Sequence, residues 1–163
     1  MDITLKVVVI GIGATLIMDI WAILQKQFFN IPSLDYRLVG RWLGHFPQGQ
    51  FIHHTIIQAP KVKGEFLMGW LAHYAIGIIF AFLLVAVVGH QWVYEPTLIP
   101  AFIIGIISVI APFCIMQPAF GFGIAASRTP QPNVARRRSL IAHASFGIGL
   151  YLSAQFLQLI INL

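Results

Sequence analysis

Four apolar runs, at roughly 3–24, 66–89, 98–124 and 139–161, decide which solvent this chain can fold in. Each is long enough for the ~20 residues that carry a helix across the hydrocarbon core of a bilayer. Soluble domains carry about 25% charged residues, whereas this 163-residue chain has 9% charged and 58% hydrophobic residues. It cannot cover a globular surface with charge. Backbone in lipid must satisfy its own hydrogen bonds, so runs of this length are read as helices. The expected fold is all-α, an integral membrane four-helix bundle. It forms one transmembrane domain over residues 1–163, with a cytoplasmic loop at 25–65.

The first run is longer than the about 7–15 apolar residues of a signal peptide, and Ile17-Met18-Asp19-Ile20-Trp21 lacks a small-x-small cleavage site. It is read as a retained span. The single cysteine, Cys114, lies in the third run and excludes an intrachain disulfide or a Cys-rich metal site. Cys114 is expected to be a small buried hydrophobe.

The formal charge of +5 follows topology. Lys26, Arg37, Arg41, Lys61 and Lys63 fall in the first loop, and Arg128, Arg136, Arg137 and Arg138 lie between the third and fourth runs. The 90–97 connection has neither Lys nor Arg. By the positive-inside rule, loops one and three are cytoplasmic and both termini lie outside. The basic residues then meet anionic lipid headgroups. Nucleic acid is not the expected partner, because they are not interleaved with a base-reading module.

A first loop this long should carry structure of its own. Leu34, Leu38 and Trp42 recur at helical spacing beside a stripe of Arg37, Arg41 and His45. This predicts an amphipathic interfacial helix with Trp42 and the arginines at headgroup depth. Phe46 to Gly49 reads as a turn, and Phe51 to Ala59 as a second interfacial segment. In the third run Pro100 suits the first helical turn. Pro112 and Pro118 are interior and should kink or break the helix.

Five polar or metal-capable side chains interrupt the apolar runs: Asp19, His73, Met116, Gln117 and His143. A titratable group in a bilayer is costly, so it normally faces protein or a wet cavity and marks function. At 1.5 Å per residue, Asp19 lies roughly 8–9 Å, His73 about 10–12 Å, His143 about 7–8 Å and Met116–Gln117 about 10–15 Å from the cytoplasmic ends of their spans. All five therefore fall in the cytoplasmic half. Four of them sit on stripes of small residues that recur about every fourth position: Gly11, Thr15, Asp19; Gly69, His73, Gly77, Ala81; Gly105, Ser108, Pro112, Met116; and His143, Gly147, Tyr151. Such stripes are how membrane helices pack closely. The five are expected to form one inward-facing ligand or proton site.

Several chemistries suit that set. Asp19, His73 and His143 could hold a transition metal, although no local motif fixes the ligands. The two histidines could be axial ligands of haem b, which suggests a haem- or quinone-linked redox protein. A carboxylate beside a histidine can also carry a proton or bind a cation or small solute, as in transporters. Interhelical hydrogen bonding in a structural membrane subunit is the plainer reading. No catalytic residue stands out. Asp35, Arg41, His45, His53, His54, Glu65 and Arg128 are candidate cap or rim residues, with Glu65 also suited to a helix N-terminus. A homo-oligomer is one expectation, because four spans leave little room for a translocation path.

The segments LDYRLVGRWLGH (34–45), GEFLMGWLAHYAIGIIFA (64–81), MQPAFGFGIAASRTP (116–130) and ARRRSLIAHASFGIGLYL (135–152) occur in this order over most of the chain. Together they resemble a bacterial family known as domain of unknown function 2938. The resemblance implies a small, four-span inner-membrane protein and brings no established activity, cofactor or catalytic residue.

Overall fold

A computed structural model of the chain describes residues 2–161. Every regular element among them is helical. Helix α1 (Ile3–Phe29) is followed by α2 (Arg37–Gly44), α3 (Glu65–Val88), α4 (Leu98–Ile107), a wide π-helical turn (Ala111–Met116), α5 (Gln117–Ala119) and α6 (Pro132–Ile161). Four stretches are long and apolar enough to cross a membrane: Ile3–Phe29, Glu65–Val88, Leu98–Ala119 and Pro132–Ile161. The large apolar side chains left on their outsides, such as Ile12, Ile79, Ile103 and Phe156, suit contact with lipid.

Local chemistry sets the ends of α1. Asp2 caps it by accepting from the Thr4 N–H at 3.0 Å. Asn30 closes it in the left-handed conformation, φ 53°, returning its N–H to the Gln25 carbonyl. In the third span the prolines act as expected. Pro112 cannot donate to residue 108, nor Pro118 to residue 114, and the helix between them widens so that Gln117 N–H bonds to the Pro112 carbonyl. The fourth helix begins at Pro132. Arg136, Arg137 and Arg138, expected in a loop, therefore lie in its first turns, where Pro at the opening position is harmless. Cys114 is exposed on the outside of its span, not buried as expected.

The fold divides into two units. The first comprises the chain up to Ser33, Tyr74–Ser108 and the residues from Leu140 onward. Val7, Ile10, Leu84, Ile104, Phe146 and Leu150 build its core. Its helices approach at the small residues of the predicted stripes. A Cβ on Gly11 would stand 2.7 Å from Ile78 Cα, and one on Gly147 would stand 2.9 Å from Phe102 Cα. Gly105 faces Gly147 so closely that its missing side chain is a requirement of the contact. Apolar burial drives little between helices in lipid, so this backbone proximity supplies the packing.

The second unit comprises Leu34–His73 and Val109–Ser139. Val39, Ile56, Ala119 and Phe120 form its core, with Trp42, Met116 and Phe122 against them. Helix α2 lies on the first turns of α3 through Gly40 and Gly69, whose missing side chains admit the Glu65 and Tyr36 carbonyls. Arg41 and His45 are buried here. Phe46–Gln48 is a single tight turn closed by Gly49, as read. Phe51 to Ala59 forms no helix; its His53 and Ile56 N–H groups bond instead to the Ala119 and Phe120 carbonyls, at 2.8 and 3.0 Å.

Candidate functional site

In the first unit, Asp19 is 7% exposed, inside a span with little other polarity. Tyr74 Oη donates to Asp19 Oδ2 at 3.0 Å. Tyr74 sits three and four residues before Gly77 and Ile78, on the α3 face that meets Thr15 and Gly11 of α1. One face thus packs the helices and delivers the phenol. A phenolic O–H can donate to a carboxylate and equally to the carbonyl oxygen of the neutral acid. The bond therefore holds the Asp19 carboxyl in place in either protonation state.

His143 has a comparably defined setting. Its Nδ1 lies 2.6 Å from Ser108 Oγ, which is also 2.6 Å from the Gly105 carbonyl oxygen. A hydroxyl has one proton to donate. When Ser108 gives it to Gly105, the second bond must come from an Nδ1–H of His143. A neutral His143 then carries its acceptor lone pair on Nε2. The arrangement rests on Gly105 and Gly147, because a side chain on Gly105 would also meet the His143 carbonyl at 2.8 Å.

The other predicted site residues lie in the second unit. His73 stacks on Tyr36 with ring centres 4.0 Å apart and an interplanar angle of 25°, and the Trp70 ring meets it edge-on at 5.9 Å. Met116 is half-buried against the apolar core, which makes its thioether a packing group. Gln117 is half-buried, with Oε1 enclosed and without a hydrogen-bond partner among the described residues.

Arg41 and Glu65 do more than decorate a rim. The guanidinium meets both carboxylate oxygens at 2.9 Å, and Nη1 donates to the Ile56 and Ile57 carbonyls at 3.2 and 3.1 Å. Glu65 also accepts the Val62 N–H at 3.1 Å. The expected helix-terminus role of Glu65 is thus subordinate to a buried bidentate pair. That hydrogen-bonded carboxylate raises the Arg41 pKa above its ordinary value. Asp35 bonds locally to Arg37, at 3.1 Å on an exposed surface.

His45 and His53 are 8% and 4% exposed, with ring centres 5.0 Å apart. Nδ1 of His45 and Nε2 of His53 are buried without a hydrogen-bond partner among the described residues. Each such orphan costs about 1–3 kcal/mol if nothing satisfies it. Burial, and after it the neighbouring His45, lowers the His53 pKa, which favours a neutral ring. A cavity of about 570 Å³ opens beside it, lined by His53, exposed His54, Thr55, Pro118 and exposed Arg128 among others.

A closed transition-metal site is built from about three or four converging protein donors. Among the described residues no group of three or more His, Cys, Asp or Glu side chains could hold one.

A family model for a protein of unknown function, DUF2938, matches residues 8–157. The chain belongs to the DUF2938 family. No curated protein and no solved structure matches it. The stretch shared with the DUF2938 model contains Asp19, His73, Tyr74, Ser108 and His143. Within this DUF2938 chain, Tyr74 is the site residue that sequence reasoning missed. Its spacing to Gly77, Ile78 and Ala81 places it on the packing face, and that signal was available. The pairing of His45 with His53 had no such signal, since an irregular loop brings them together.

Proposed function

We propose that this membrane protein binds and passes a proton, alone or coupled to a small cation or solute, through Asp19 and His143. The observation that carries the reading is the Asp19–Tyr74 hydrogen bond within apolar spans. A carboxyl at such a place is expensive and usually functional, and its phenol partner tolerates both protonation states. His143, oriented by Ser108, adds a second titratable group in the same unit. His73, in its aromatic slot, is the third residue to test. The cations at Lys61, Lys63, Arg128, Arg137 and Arg138 support an orientation with both termini outside and these groups in the cytoplasmic half of a bacterial inner membrane. Exposed Arg137 and Arg138 suit anionic headgroups. A homo-oligomer would supply the wall that four spans lack.

The test is proton entry into liposomes carrying a lumenal pH dye under an imposed membrane potential. Protein-loaded vesicles should acidify faster than protein-free ones. Asp19→Asn, if it elutes from gel filtration like the native protein, should return the rate to that of protein-free vesicles, and His143→Ala should slow it. Native rates in Asp19→Asn, or no excess over empty vesicles, would remove the proposal.

A further inference from the structure

We propose that His45 and His53 form a binding site for a single divalent transition-metal ion of the zinc type, distinct from the Asp19 and His143 groups and independent of the proton reading. The two rings come from the end of α2 and from the loop beyond it, and both belong to the second unit. His45 follows directly on α2, whose Arg41 is anchored to Glu65. The His53 backbone is pinned by its N–H to the Ala119 carbonyl at 2.8 Å. Each imidazole is therefore positioned by contacts that do not use its ring nitrogens.

Three observations converge on a metal. Both side chains are more than nine-tenths buried, yet each keeps one ring nitrogen without a partner. Buried polar atoms are nearly always satisfied, and an ion is one of the few groups that satisfies two imidazoles at once. With Zn–N bonds of about 2.0–2.1 Å, two imidazoles on one tetrahedral ion have ring centres about 5 Å apart. The observed separation is 5.0 Å, with the rings inclined at 41°. Imidazole nitrogen suits zinc, copper and nickel and is a poor ligand for magnesium or calcium.

The remaining coordination positions are open to water or a small solute, because among the described residues no third His, Cys, Asp or Glu completes the group. The cavity that His53 lines provides the approach, and its walls include the exposed Ile52, His54 and Ile57. A two-histidine site with exchangeable positions binds more weakly than a closed structural one, so the ion is expected to be removable by a chelator.

Titration calorimetry with Zn2+ on tag-free, chelator-treated protein should show one ion per chain. The same ion should raise the thermal unfolding midpoint. Binding and the midpoint rise should be lost in His45→Gln and in His53→Gln, and kept in His90→Ala, an exposed histidine of the other unit. No binding to the native chain, or binding that survives in either glutamine variant, overturns the site. Should the glutamine variants not fold, Cu2+ on the native chain decides. Paramagnetic resonance must show coupling to two imidazole nitrogens from one ion per chain, and fewer nitrogens or several ions overturn it.

Discussion

Arg41→Met is expected to destabilise the protein by about 3–5 kcal/mol, because it strips the cation from a buried carboxylate. Both side chains are nearly enclosed, at 8% and 11% exposure, so solvent screens the pair little. The substitution removes both bonds to Glu65 and those to the Ile56 and Ile57 carbonyls. Glu65 then keeps only the Val62 N–H among these contacts. Chemical unfolding in mild detergent reads the loss as a lowered midpoint. The double variant Arg41→Met with Glu65→Leu should recover most of it, since an apolar pair of similar volume can replace a buried ion pair. Arg41→Lys should recover little, because an ammonium cannot face two carboxylate oxygens and two carbonyls in one plane. A single variant within about 0.5 kcal/mol of the native protein would place Arg41 among ordinary surface positions.

Gly105→Ala is expected to cost about 1–3 kcal/mol or more, although it adds only a methyl group. The added carbon would overlap the Gly147 backbone and reach the His143 carbonyl at 2.8 Å. Backbone atoms cannot rotate away as a side chain would, so α4 and α6 must separate. The same shift should lengthen the 2.6 Å Ser108–His143 contact. A lower unfolding midpoint together with slower proton entry is therefore predicted. Ile103→Ala, on an outward-facing position, is the control for a small change in volume. Equal stability in Gly105→Ala and Ile103→Ala would show that the helices tolerate a wider spacing.

Much of the fold was legible because bilayer chemistry is restrictive. Run length identified the four spans, and the prolines located the break in the third. The four-residue stripes identified true packing faces, as Gly11 against Ile78 and Gly105 against Gly147 show. Periodicity names a face, however, and does not name the partner that meets it. It picked out Asp19 and His143 without finding Tyr74 or assigning Ser108 as a partner. In the first loop, burial depends on contacts distant in sequence. Arg41 and His45 read as one stripe of an interfacial helix, because nothing local announces Glu65 or His53 as the groups they meet. Cys114 was misread for a related reason: apolar sequence does not say which side of a span faces outward when a π-helical turn changes the winding.

The Arg41–Glu65 pair also sets an order of events during synthesis. Its partners stand 24 residues apart, with the Ile56 and Ile57 carbonyls between them. At about 5–20 residues per second, the ribosome needs about 1–5 s to deliver Glu65 after Arg41 has been made. Throughout that interval α2 has its cation without its carboxylate, and the loop that will hold His53 has no anchor. The ion pair therefore cannot close until the second span has begun to emerge, and the His53 loop waits longer still, for the Ala119 and Phe120 carbonyls.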